Sequence, residues 1–236
     1  MKAEPATPLL SAQLPLGVQL PDTATLAGFA PGPNAAALAA ARQAAIGPDQ
    51  RGYFCGGPGK THLLQAACRA AGEAGRRATF LPLADWCEQP PAILDGLTGL
   101  DLVCLDEVDA VAGNRAWEEA LVGALDGWRA AGASVLAAGP AAPAQLTDLL
   151  ADLRSRLGWG AVYALQEPAD DDKRWVLVAR AASRGLTLPD EVARYLLTHT
   201  SRDLRRLMPL LARLDRASLA AQRRLTIPFV KQVCLS

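Results

Sequence analysis

Apolar positions along the chain follow two rhythms. Short, nearly unbroken apolar runs occur at Gly52–Cys55, Ala78–Leu83, Leu100–Leu105 and Ser134–Ala138, as expected for strands buried on both faces. Between them lie longer stretches with helical spacing: Asn34–Ile46, with Asn34 at the N-cap, then Thr61–Ala74 and Trp117–Ala131. Strands alternating with helices predict a parallel sheet covered on both faces. After about Tyr163 the strand rhythm stops. Asp170–Arg184, Asp190–Thr198, Ser201–Leu214 and Pro228–Leu235 all read as helices, the last with Thr226 as N-cap and Pro228 in its first turn. Residues 1–22 carry Pro5, Pro8, Pro15, Gly17 and Pro21, which break any regular element. The expected organisation is a tail over 1–22, an α/β domain over 23–162 and a small all-helical domain over 163–236.

Composition narrows the classes. Of 236 residues, 50% are hydrophobic and 20% charged, too apolar for a disordered chain. No run of about 18 apolar residues suggests a membrane span, and the first ten residues do not read as a secretory signal. The five cysteines lack CxxC spacing, so neither zinc nor a disulfide framework is indicated, and a cytoplasmic protein is expected. His62 and His199 suggest no metal site, and the five tryptophans are expected in the core or at interfaces. The 24 basic and 24 acidic side chains balance, but unevenly along the chain: 11 against 16 up to residue 162, then 13 against 8. A basic back half fits self-association or weak, non-specific DNA contact, and falls short of a dedicated DNA-binding surface.

Two motifs carry chemistry. Gly56-Gly57-Pro58-Gly59-Lys60-Thr61 follows a strand and opens a helix, the setting of a phosphate loop. Backbone N–H groups around Gly57 and Gly59 would form a nest, Lys60 would reach the β-phosphate, and Thr61 would ligate Mg²⁺. The loop is two residues shorter than the G-x-x-x-x-G-K-[ST] pattern, and Pro58 has no N–H to donate. Read alone, it is also what a glycine-rich turn into a helix looks like. The second motif, Leu102-Val103-Cys104-Leu105-Asp106-Glu107, ends a strand in two acids. Asp106 would hold Mg²⁺ through water and Glu107 would polarise an attacking water. The two motifs together point to a bound nucleotide, ADP or ATP.

With these motifs in place, the chain resembles the DnaA-like AAA+ family, most closely its shorter Hda branch. The resembling segments are QLPLGV (13–18), LPD (20–22), GKTHLLQAAC (59–68), LVCLDEVDAVAG (102–113), SRLGWG (155–160), LPDEVARYLL (188–197), DRAS (215–218) and LTIPFVK (225–231). The helix-turn-helix domain with which DnaA reads origin DNA is expected to be absent. The resemblance implies an AAA+ domain followed by a helical lid. It implies that Lys60 and Thr61 contact phosphates and Mg²⁺, and that Asp106 and Glu107 are the Walker B pair. It places Arg156 as an arginine finger acting in a neighbouring subunit, and Arg202 as the sensor-2 arginine reaching the nucleotide from the lid. Without the resemblance, Arg156 reads as a solvated helix-end arginine and Arg202 as one of a surface group with Arg205 and Arg206.

One departure stands out. The polar sensor-1 residue expected after the strand at 134–138 is replaced by Pro140 and Ala141, so brisk ATP turnover by this chain is not expected. Gln13, Leu14, Leu16 and Val18 approximate the Q-x-x-L-x-L peptide that enters the cleft of the DNA polymerase III β sliding clamp, with apolar side chains to fill it. The expected role is a regulator of replication initiation on a degenerate ATPase fold. It would bind the clamp, reside on the nucleoid through it, and stimulate hydrolysis of DnaA-bound ATP, with homo-oligomers as a further form. The alternatives are a DnaA-like DNA-binding or loading module and a stand-alone ATPase.

Overall fold

The computed structural model describes residues 24–235, so the peptide carrying Gln13, Leu14, Leu16 and Val18 lies outside the described residues. Among the described residues five strands form one sheet: β1 (Arg51–Gly56), β2 (Ala78–Pro82), β3 (Leu102–Asp106), β4 (Ser134–Ala138) and β5 (Ala161–Leu165). Their order is β2-β3-β4-β1-β5, and every neighbouring pair is parallel. Side chains alternate between two cores as strand geometry requires. Tyr53, Val103, Leu105, Val135 and Ala137 face one side, where they meet Trp117, Leu121 and Leu125 of α4 (Arg115–Ala130) and Leu153 of α5 (Ala151–Leu157). Phe54, Leu102, Cys104, Leu136 and Ala138 face the other, against α1 (Ala35–Ile46) and α2 (Lys60–Glu73).

The alanine richness has a packing reason. Ala37, Ala41, Ala44 and Ala45 of α1 are buried in one cluster with Ala67 and Ala71 of α2, and small side chains let the two helices approach closely. Trp117 and Trp128 are core residues, each with its indole N–H bonded to a backbone oxygen, of Gln89 at 2.7 Å and Leu97 at 3.1 Å. A short helix, α3 (Leu83–Trp86), follows β2.

The back of the chain folds as α6 (Asp170–Ala182), α7 (Asp190–His199), α8 (Leu204–Ala221) and α9 (Ile227–Leu235). They share a separate core of Leu177, Val192, Leu196, Leu207, Leu211 and Phe229. Thr226 does cap α9, accepting from the N–H of Phe229 at 3.4 Å. Among the described residues, no helix is long and apolar enough to cross a membrane.

The structure departs from the sequence pattern at two points. The domain boundary after residue 162 cuts through β5, which pairs with β1 from Ala161 to Leu165. The sheet therefore continues past 162, and the helices begin at Asp170. Asn34 does precede α1, but its side chain makes no cap. It is buried, and it clamps the backbone of Gln166 instead, donating through Nδ2 at 3.0 Å and accepting through Oδ1 at 2.8 Å. That pair of bonds ties the start of α1 to the segment leading into the lid.

Candidate functional site

The carboxyl ends of β1, β3 and β4 meet where a ligand crevice is expected in an open parallel sheet. β1 delivers Gly56, and α2 starts four residues later. The turn between them needs glycine. Gly56 and Gly59 have φ of 76° and 104°, and a Cβ on Gly57 would stand 2.8 Å from the Leu165 carbonyl oxygen. The loop is closed on itself. Gly57 N–H donates to the Leu165 carbonyl at 2.7 Å, and Gly56 N–H donates to the Pro140 carbonyl at 3.3 Å. The Lys60 ammonium folds back onto the Gly56 and Gly57 carbonyls at 2.8 and 3.1 Å.

This arrangement explains how a loop two residues short of the full motif remains stable. It also limits what the loop can do. Two of its N–H groups are spent on the protein and Pro58 has none, so an anion is met mainly by Gly59, the first turn of α2 and the Lys60 charge. Pro140, at the expected sensor-1 place, lines the same crevice and contributes its carbonyl to loop closure. The side chains of Pro140 and Ala141 offer nothing to orient a water.

The two acids sit beside this loop. Asp106 is buried, with 3% of its surface exposed, and accepts from Glu107 N–H at 3.0 Å and from the Thr61 hydroxyl. Thr61 and Asp106 are thus already in contact, as ligands of one hydrated Mg²⁺ would need to be. Glu107 takes a left-handed backbone, φ 55°, which turns the chain out of β3. Asp109 lines the crevice with them. Burial pushes the Asp106 carboxyl up, against the opposing influence of Thr61, the Glu107 N–H and Lys60. Burial and the neighbouring Asp106, Asp109 and Asp85 likewise raise Glu107.

A carboxyl whose folded pKa is raised binds its proton more tightly folded than unfolded, so it costs stability above that pKa and the cost fades as pH falls through it. Asp106→Asn is therefore expected to raise the Tm of the protein without nucleotide at neutral pH. The gain should shrink towards pH 4 while Mg²⁺-nucleotide binding weakens. Thermal melts across pH check it, and a lower Tm for the variant at pH 7.5 would contradict it.

The crevice opens into a cavity of about 760 Å³ between the sheet and the lid. Its floor is the phosphate loop with Asp106 and Glu107, one wall is the segment Thr25–Ala30, and the other is lid. Val176, Ala179 and Arg180 of α6 and Ser183 at its C-cap share one helical stripe and line it, and Leu204 and Met208 of α8 close it. His62 Nε2 donates to the Thr25 carbonyl at 2.9 Å, and Phe29 packs on the His62 ring with centroids 5.9 Å apart. That carbonyl can only accept, so the proton is on Nε2. Burial and nearby Arg180 hold this imidazole below its usual range, so it stays neutral at physiological pH.

The structure brings Gly57, Gly59, Lys60, Thr61, Asp106 and Glu107 together around this crevice. It does not bring Arg202. That side chain is 72% exposed and lies 3.9 Å from Asp170. The cation that the lid places in the cavity is Arg180, which sequence reasoning missed. Its only signal was the stripe at 176, 179, 180 and 183, a second face of α6 distinct from the core face at Leu177 and Ala181. Arg156 also stands outside the cavity, in the last turn of α5, where it pairs with Asp126 of α4 at 3.0 Å. Among the described residues, no group of acids, histidines and cysteines is arranged to hold a metal on its own.

Comparison with known proteins agrees with both halves. Residues 170–234 match the family of the Hda lid domain. The fold is that of domain III of the replication initiation protein DnaA from Thermotoga maritima, at 21% identity and a TM-score of 0.76, over 91% of this chain and 96% of that one. DnaA from Aquifex aeolicus with bound AMPPCP is similar at 21% identity and 0.68, over 82% of this chain and 65% of that one. The Thermotoga maritima Holliday junction branch migration motor RuvB is similar at 19% identity and 0.59, over 84% and 64%. Residues 170–234 thus match the Hda lid domain, and the chain as a whole has the fold of DnaA domain III.

Proposed function

We propose that this protein regulates chromosome replication initiation by stimulating hydrolysis of ATP bound to DnaA, which leaves DnaA in its ADP form. Its own cavity takes ADP with Mg²⁺: Lys60 and the start of α2 bind the diphosphate, and Thr61 and Asp106 hold the metal. Arg180, rather than Arg202, supplies the lid's charge. Glu107 contributes little turnover, because nothing beside it orients a water. Gln13, Leu14, Leu16 and Val18 dock on the DNA polymerase sliding clamp, and Arg156 enters the nucleotide site of DnaA.

The observation that carries this reading is a lid of the Hda family on a DnaA-like module whose own phosphate loop is closed by the Pro140 and Leu165 carbonyls. A nucleotide-hydrolysing machine is poorly served by such a loop. An adaptor that retains ADP and acts on another protein's ATP is well served. The test is ADP formation by ATP-bound DnaA, with and without this protein and a clamp loaded on DNA. Rapid phosphate release by this protein alone would favour the stand-alone ATPase. A footprint on a specific DNA site at physiological salt would favour the DNA-binding module.

Gln13→Ala, Leu14→Ala and Leu16→Ala together are expected to weaken clamp binding about a hundredfold or more, since two leucines leave an apolar cleft. The Tm should not move. Undiminished co-elution of the triple variant with the clamp would remove the tail from the proposal.

A further inference from the structure

The structure assigns Asp126 as a positioning residue for Arg156, holding one edge of its guanidinium so that the other is presented to the nucleotide of a neighbouring protein. This inference rests on the reading of Arg156 given above. Asp126 comes from α4 and meets the side edge of the fork. Nε lies 3.3 Å from each carboxylate oxygen, and Nη2 lies 3.0 Å from Oδ2. A carboxylate on the Nε/Nη2 side leaves Nη1 without a contact from Asp126. Nη1 is loosely held. It reaches the Asp152 carbonyl at 3.4 Å and the Asp152 carboxylate at 4.0 Å, the outer limits of such contacts.

A second element steadies the group. Trp159, just past the end of α5, has the Arg156 guanidinium carbon 5.6 Å and the Arg129 guanidinium carbon 4.3 Å from its ring centre. The turn carrying it has little freedom, because Gly160 is pressed against the Arg51 carbonyl where a Cβ would clash. Arg156 keeps 24% of its side-chain surface exposed. It is thus a cation with a fixed side edge and a loosely held end. Such preparation lets an arginine stabilise charge on an incoming phosphate without reorganising first.

An ordinary surface ion pair would contribute little and could be deleted freely, so function separates the two roles. The experiment titrates the full chain, as wild type, Asp126→Ala, Asp126→Asn and Asp126→Glu, into ATP-bound DnaA with the DNA-loaded clamp. It also follows exchange of the Arg156 Nε–H by ¹⁵N-edited NMR. Asp126→Ala is expected to lower the maximal rate of ADP formation about tenfold while leaving the half-saturating concentration within about twofold. Asp126→Glu should recover most of the loss and Asp126→Asn less. The Arg156 Nε–H should lose its exchange protection in Asp126→Ala. A maximal rate for Asp126→Ala at or above wild type, or unchanged protection, overturns the assignment. No stimulation by the wild type, with protection still lost in Asp126→Ala, instead overturns the functional reading and the finger with it.

Discussion

Arg156→Ala is expected to keep its fold, its nucleotide and its clamp affinity, yet to lose stimulation of DnaA-bound ATP hydrolysis by about a thousandfold or more. The reasons are positional. Arg156 does not line this chain's own cavity, where Lys60 and Arg180 already supply positive charge. Its pair with Asp126 is partly exposed and lies outside the three buried clusters, so the fold loses little without it. What the variant lacks is a planar fork of donors that can meet charge spreading over the γ-phosphate oxygens of a neighbour. Arg156→Lys should recover little, because an ammonium is a point charge on a flexible stem. ADP formation by DnaA under single-turnover conditions measures the effect. An alanine or lysine variant that matches the wild-type rate would mean that the protein acts by binding alone.

Lys60→Ala should weaken ADP binding by about a hundredfold, equivalent to about 3 kcal/mol for a charge-assisted contact to phosphate. The effect is large because the loop has little in reserve. Gly56 and Gly57 spend their N–H groups on the Pro140 and Leu165 carbonyls, and Pro58 has none. Lys60 bonds the loop carbonyls, so its ammonium must exchange those partners for phosphate oxygens when ADP binds. Calorimetry with ADP and ATP reads both the loss and the preference. ADP should bind the wild type more tightly than ATP, since nothing at Pro140 or Ala141 receives a γ-phosphate. ADP affinity within about threefold of wild type in Lys60→Ala would place the diphosphate elsewhere than on this loop.

What could be read without coordinates was the chemistry that is local in the chain. The Gly-Lys-Thr turn and the Asp106-Glu107 pair are set by a few adjacent residues, and the three central strands carry near-continuous apolar runs because both faces are buried. The helices of the lid announce themselves through periodicity, because each buries one stripe and exposes the other. β5 did not. As an edge strand it leaves Ala161, Val162 and Ala164 exposed and buries only Leu165 fully, so its membership in the sheet is decided by pairing with β1.

The site depends on tertiary structure wherever a partner is distant in sequence. Asn34 looks like a cap, but 132 positions away Gln166 offers its buried side chain two better bonds. Gly57 looks like a phosphate donor until β5 brings the Leu165 carbonyl to 2.7 Å. Arg202 and Arg180 are both arginines on the lid, and only the packing of α6 against the cavity distinguishes them. A residue type and its spacing determine what a side chain can do; the fold decides which competing partner reaches it first, because a buried donor or acceptor must be satisfied by whatever the packing places beside it.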